Sequence, residues 1–476
     1  MIAQITDAPP PVDRRTRWSL THLGLTLAVV VPVALFFAPL PLDAPVQSAL
    51  AITSFMLLAW MAEIMDPALV GLIGCYLFWA LGVVPFGTAF SGFATDTAWF
   101  AFGATLFGAM TVKSGLGRRL ALQILKYVGG TYESVLMGLV IASLVLTFVV
   151  PSGAARVVIM ATVALGMIEA LGLTRSNQAA AGMFVAISYG AGLFDKMIIA
   201  GTAVITAQGL MERVGGIPVL WSRWFVAFLP ASLITIPVLW RVTLWLHPSD
   251  AGGRTATEYM RRELAELGPW TAIEKRTTLL LLVAVALWVT DFAHHLSPQM
   301  IGLGVGLCAV LPGIGVLTAD DVKRVNYLPV FFVAAALSMG EVLIATKTLN
   351  LVIDEMFAWM QPLMTGTFSS TAVMYWGGFI YHLFLGSEVS MLGTSIPLMM
   401  QFATTHGLDP LATGMVWTFS ASARLFAYQS AVLVIGYSYG FFQARDLFRL
   451  GLVMSVVEFV ILVLLRHLYW PLLGLQ

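Results

Sequence analysis

The chain has 476 residues, 59% of them hydrophobic and only 11% charged, with a formal net charge of zero and a mean hydropathy of +0.88. Soluble domains carry roughly 25% charged residues, so this composition excludes an ordinary soluble fold, and the balanced charge gives no nucleic-acid footprint. Apolar runs of about 20 residues, the length that crosses a bilayer core, recur from end to end and define an integral membrane protein.

The first 17 residues are polar and Pro-rich, with Arg14, Arg15 and Arg17 ahead of the first apolar run. No short apolar run with a small-residue cleavage site follows, so the first span is expected to stay. Simple spanning helices are expected at 18–38, 46–63, 68–84, 96–112, 224–244, 276–293, 299–315, 327–345 and 451–470. Four further stretches are apolar but interrupted by Gly, Pro, Ser and a charge: 133–150 with 154–171, 178–208, 369–385 with 389–402, and 411–440. A broken helix at membrane depth leaves backbone N–H and C=O groups unpaired, which is tolerated only against protein or a water-filled cavity. Two such elements in each half is the signature of a transporter built from internal repeats. Cys75 and Cys308 both lie in apolar segments and read as small buried side chains.

Three landmarks recur at nearly one offset. Asp96 and Asn326 open two spans about 230 positions apart; Ser152 and Ser387 mark two hairpin tips about 235 apart; AGLF at Ala191–Phe194 and ARLF at Ala423–Phe426 are about 232 apart. The expected organisation is a tail and first span (1–45), repeat one (46–244, with hairpin 133–171 and broken helix 178–208), a cytoplasmic connector (245–275) and repeat two (276–476, with hairpin 369–402 and broken helix 411–440). If both hairpins are re-entrant, about eleven spans remain. Most Lys and Arg residues then fall on the N-terminal side of the membrane, which puts the N-terminus in the cytoplasm and the C-terminus outside. The fold class is thus an all-α membrane protein of two inverted repeats.

Three basic residues fit neither surface: Arg156, Lys196 and Arg424, each inside a broken element. Asp195 and Glu388 are the conspicuous acids there, with Glu341 in a neighbouring span. A charge at the bilayer centre costs roughly 2.5–3.5 kcal/mol on insertion scales, so such groups pair with one another or face an aqueous path. Pairing of Asp195 with Lys196, or of Glu388 with Arg156 or Arg424, would tie helices together. Their concentration at the breaks points instead to an anion site, because exposed backbone N–H groups beside a fixed cation suit a bound carboxylate. The expected binding residues are Ser152, Gly153, Arg156, Lys196, Ser387, Glu388, Arg424, Tyr428 and Gln429. Glu388 and Asp195 are the candidates for carrying a proton or for recognising an ammonium group. No Ser–His–Asp order or G-x-S-x-G context supports an intramembrane enzyme, no His/Cys cluster has metal-ligand spacing, and a channel would show repeated polar pore faces.

Several segments carry a family resemblance. VKSGLGRRLALQILKYVGG (112–130), MRRELAELGPWTAIEKRTTLLLL and FFQARDLFRLGLVMSVVEFVILVLL resemble the divalent anion:sodium symporter family, carriers of succinate, citrate and related anions. The resemblance implies an ion-transporter-superfamily fold, a scaffold and a moving part working as an elevator, a homodimer, and a place in a bacterial cytoplasmic (inner) membrane. The family carries Ser-Asn-Thr at each hairpin tip, where sodium and the substrate carboxylate bind. Here the tips read Ser152-Gly153-Ala154 and Ser387-Glu388-Val389, so serine is kept and Asn and Thr are not. Fixed cations at Lys196 or Arg424 would take over the electrostatic part of sodium, and cannot be released. The expected function is sodium-independent exchange or proton-coupled transport of a small organic anion, dicarboxylates first, without a resident cofactor. Sodium-coupled symport and a zwitterionic substrate are the alternatives.

Overall fold

A computed structural model describes residues 14–62, 64–128, 130–150, 152–250, 254–348, 359–385 and 387–475, and the N-terminal part of the expected tail lies outside them. The described residues are helical without a strand. The helices of eight or more residues are α1 (Arg14–Phe37), α2 (Ala44–Met61), α3 (Pro67–Ala80), α4 (Asp96–Ser114), α5 (Leu116–Val128), α6 (Tyr132–Val149), α7 (Gly153–Ala170), α8 (Gln178–Met197), α9 (Thr202–Gly215) and α10 (Trp221–Leu246). They continue with α11 (Arg254–Glu266), α12 (Ala272–Val289), α13 (Pro298–Cys308), α14 (Leu328–Ala345), α15 (Thr367–Phe384), α16 (Glu388–Thr405), α17 (Pro410–Ser420), α18 (Ala431–Ser438) and α19 (Ala444–Leu464).

Local chemistry explains the boundaries. Thr95 caps α4 by accepting from Ala98 N, and Gly115 ends it in the left-handed region at φ 71°. Between α8 and α9, Ile198 is extended and Gly201 sits at φ 79°. Gly201 is required twice over there, since a Cβ would also stand 2.9 Å from Asp195 Oδ2. The expected span 299–315 is helical only over Pro298–Cys308. Pro312 and Gly313 (φ 88°) follow, and the chain turns back so that Val316 and Leu317 N–H donate to Ala309 O. Eleven residues rise about 16 Å, roughly half the hydrocarbon core.

The packing repeats itself with partners exchanged. Helix α3 packs on α14, and α4 on α13. A Cβ on Gly71 would stand 2.6 Å from Ala335 Cβ, and one on Gly103 would stand 2.5 Å from Gly302 O. Gly302 lies 231 positions after Gly71, and Ala335 lies 232 after Gly103, so one close crossing is built twice. Likewise α9 packs on α16, while α18 packs on α7. The stretch between the two halves carries α11, which rests on α5 and α7 with an Arg118–Glu263 ion pair. Arg119 beside it holds Glu274 at 2.5 Å and donates to the carbonyls of Leu267 and Gly268.

Candidate functional site

Each of the four interrupted stretches resumes as a helix, and all four resumed helices begin at one cavity. Ser152 and Gly153 open α7, Gly201 and Thr202 open α9, Ser387 and Glu388 open α16, and Ser430 and Ala431 open α18; all eight line a cavity of about 320 Å³. Small-molecule sites run from roughly 300 to 1,000 Å³. The opposite wall comes from Asp66, Pro67 and Ala68 at the start of α3 and from Asn326, Leu328, Pro329 and Phe332 around the start of α14. A helix N-terminus carries about half a positive charge and orphan N–H donors. Ser152 satisfies one such donor, accepting from Ala155 N at 3.4 Å, whereas Gly201, Ser387 and Ser430 provide no side-chain cap among the described residues. Four N-termini, three of them uncapped, therefore face one small space, an arrangement suited to an anion.

The charged residues form a layer behind this wall. Asp195 and Glu388 touch the cavity, each 7% exposed, whereas Arg156, Lys196 and Arg424 are fully buried behind them. Arg156 is ion-paired with Asp195 and donates to Val150 O and Ala191 O. Glu388 takes two cations, Lys196 on Oε2 and Arg424 on Oε1, the latter at 2.8 Å. Arg424 also donates to Ser422 O and Tyr189 O, with its guanidinium carbon 5.1 Å from the centre of the Tyr189 ring. Gly192 makes the room, since a Cβ there would stand 2.1 Å from Arg424 Nη1. Asp195 Oδ2 accepts no hydrogen bond among the described residues and looks towards the cavity.

The expected site residues thus divide. Ser152, Gly153, Ser387, Glu388 and Asp195 share the cavity wall, and Arg156, Lys196 and Arg424 stand behind it. The pairing differs from the sequence expectation: Asp195 goes to Arg156 rather than Lys196, and Glu388 holds Lys196 and Arg424 together. Tyr428 and Gln429 lie outside the lining. The Tyr428 hydroxyl donates to Leu383 O at 2.9 Å. Gln429 Oε1 accepts from Leu425 N and Phe426 N at 2.8 and 3.0 Å, mending the backbone where α17 has ended. Glu341 sits apart, in a half-exposed pair with Arg213.

Two residues escaped the sequence reading. Glu458 of α19 is fully buried, accepting from the Tyr189 hydroxyl at 3.0 Å on Oε1 while Oε2 has no hydrogen-bond partner among the described residues. The signal was present, a lone acid in SVVEFVIL, but it lies in an unbroken span remote in sequence from the breaks. Asp66 is the other, a capping residue of α3 whose carboxylate accepts from Ala68 N.

A multi-pass helical protein with interrupted helices meeting at a central anion-type cavity is a membrane carrier. The chain belongs to the family of the sodium:sulfate symporter transmembrane region, which it matches over residues 18–476, and it is therefore a membrane transporter. It is similar to a membrane protein of Cupriavidus necator, 25% identical over 485 residues that cover 95% of this chain and 93% of that one. It is also similar to the L-tartrate/succinate antiporters of Escherichia coli K12 and Shigella flexneri, each 25% identical over 403 residues covering 80% of both chains.

Proposed function

We propose that this chain exchanges small dicarboxylates across a bacterial cytoplasmic membrane without sodium. The observation that carries the reading is the cavity itself, where four helix N-termini meet in front of three buried cations. Those cations are covalent parts of the chain and cannot be discharged on either side, so they cannot draw on a sodium gradient. The antiporter relatives support dicarboxylates as the substrate and exchange as the mode. The serines at the tips and the uncapped N–H groups donate to the substrate carboxylates. Asp195 and Glu388 act as tethered counter-ions that offset two of the three cations while the cavity is empty. Glu388 and Asp195 are also the candidates for carrying a proton.

The exchanged packing of α3 with α14 and α4 with α13, and of α9 with α16 and α18 with α7, supports two inverted repeats with the boundaries given above. In this reading α6–α9 and α15–α18 form the moving part, which slides as an elevator past α3, α4, α13 and α14. The N-terminus is cytoplasmic, the C-terminus is outside, and the functional unit is a homodimer. A second reading, an aminodicarboxylate substrate, has one observation in its favour: the free Asp195 oxygen at the cavity would accept from an ammonium group.

The test is uptake of labelled succinate into proteoliposomes, empty or preloaded with unlabelled dicarboxylate, with and without sodium and an inward proton gradient. Uptake confined to preloaded vesicles and indifferent to sodium is expected. Sodium-driven uptake into empty vesicles would refute the reading and restore sodium symport. Uptake that follows the proton gradient would replace exchange by proton coupling and turn attention to Glu388.

A further inference from the structure

A second cavity, of about 620 Å³, adjoins the first and shares Ser152, Ala154, Thr202, Asn326 and Pro329 with it. The two spaces therefore meet at the first hairpin tip and the starts of α9 and α14. The outer part is walled by α4 from Ala101 to Lys113, by the first hairpin tip, by the start of α9, and by the stretch from Asp321 to Asn326 ahead of α14. Its lining is mostly Ala, Val, Gly and Ile, with three charged residues: Lys113, Asp321 and Arg324. Asp321 is already committed, its Oδ2 accepting from Thr318 N and Thr318 Oγ1 at 2.7 Å each and from Lys113 Nζ at 2.5 Å. Arg324 is exposed, and its guanidinium has no hydrogen bond or ion pair among the described residues.

We propose that Arg324 and Lys113 form an outer anion-capture site, where a dicarboxylate is held before it moves inward to the four helix N-termini, and that Asp321 sets its strength by holding Lys113. The inference rests on the central cavity being the transport site. Two cations against one acid leave a net positive mouth on a low-dielectric passage. Such a mouth focuses the field and raises the capture rate of a dianion by roughly 10- to 1,000-fold in favourable cases. Exposed charges are screened over about 10 Å at 0.1 M salt, so capture weakens with salt, whereas the buried inner layer responds far less. Freeing Lys113 from Asp321 exposes a second cation, matched in number to the two carboxylates of the substrate.

The experiment is side-resolved dicarboxylate exchange in proteoliposomes at low and high ionic strength, comparing wild type with Arg324→Gln, Lys113→Gln, Asp321→Asn and Lys323→Gln. Lys323 is the control: it loses the same charge one residue away, but it pairs with Asp320 and lies outside the lining. Arg324→Gln is expected to raise KM about three- to ten-fold at one membrane face only, with Vmax held, and to flatten the salt dependence of KM. Lys113→Gln should act in the same direction, and Asp321→Asn should lower KM at that face. Lys323→Gln should track wild type. An Arg324→Gln variant with wild-type KM at both faces and an unchanged salt slope overturns the outer site while leaving the central one standing. A wild-type protein that exchanges no dicarboxylate overturns the central reading and the outer site with it.

Discussion

Replacing Glu388 with Gln tests the tethered counter-ion directly. Glu388 is the shared partner of two fully buried cations, Lys196 and Arg424. Removing one side of a buried ion pair costs about 3–5 kcal/mol, because it strands a charge in a low dielectric. Gln keeps the shape, and its carbonyl can still accept from Arg424, but its amide N–H groups then face Lys196, so a cost of about 3 kcal/mol is expected for the empty protein. Under the proposed function, a dicarboxylate in the cavity would lie in front of these cations and restore part of the missing charge. If binding recovers even half of that cost, about 1.5 kcal/mol, affinity rises about ten-fold. Vmax should fall, since a more tightly held anion leaves more slowly. The assay is counterflow of labelled succinate, paired with thermal melting in detergent with and without dicarboxylate. Glu388→Gln should melt well below wild type when empty and show the larger ligand-induced rise. If KM is unchanged and the melting point falls by the same amount with and without ligand, Glu388 only ties helices together. A raised KM would mean that Glu388 contacts the substrate directly.

Other outcomes follow from local geometry. Gly201→Ala places a Cβ at φ 79° and 2.9 Å from Asp195 Oδ2, a strain of about 1–2 kcal/mol before the clash. Exchange velocity should drop at least about ten-fold, measured against the same protein's melting point to separate function from folding. Gly302→Ala pushes a methyl to 2.4 Å from the Phe100 ring and should cost about 1–3 kcal/mol, seen as a lower melting temperature. His247, just beyond α10, is bonded to Gln178 Oε1 at 3.0 Å. Burial lowers its pKa, with Arg449 adding to the shift and Asp446 opposing it. The unfolded chain therefore takes up the proton first, so stability is full above about pH 6.5 and is lost as pH falls below it. Melting temperature should hold between pH 8 and 7 and fall towards 5.5, and His247→Gln should flatten that fall.

The interruptions were legible because they are written in backbone chemistry. Small or polar residues cluster with a charge at each of them, Ser152 and Gly153 near Arg156, Gly201 near Lys196, Ser387 beside Glu388, and Ser422 and Ser430 around Arg424, whereas the lone Pro32, Pro230, Pro237 and Pro397 leave their helices unbroken, and the hairpin helices end within a few residues of the expected limits. What the breaks look onto was not legible, because that is a property of contacts between residues far apart in the chain. Asp195 and Lys196 are neighbours in sequence, yet successive helical residues point in different directions, and the structure gives them different partners. Gln429 shows the same ambiguity: an amide beside a break serves a ligand or the broken backbone equally well by composition, and here it serves the backbone. Glu458 had the weakest signal of all, since its partner Tyr189 lies 269 positions away.

The largely offset cation layer raises a question that exchange must answer. Asp195 and Glu388 offset two of the three buried cations, so net charge alone holds the empty site back only weakly, and an empty carrier could return nearly as readily as a loaded one. The N-termini supply the missing constraint. Gly201, Ser387 and Ser430 leave their helices without side-chain caps, so their N–H groups depend on water or on the substrate. The tethered acids cannot replace that partner for all of them: both Glu388 oxygens are engaged with Lys196 and Arg424 and Asp195 Oδ1 with Arg156, which leaves Asp195 Oδ2 to serve several donors. Moving past the opposite wall at Pro67, Ala68, Leu328 and Phe332 would strip the water from these groups, at roughly 1–3 kcal/mol for each donor left unpaired. A dicarboxylate brings acceptors for several of them at once. On this account the acids make the buried cations tolerable to the fold, the bare N-termini make the empty carrier reluctant to move, and the two together turn an anion site into an exchanger.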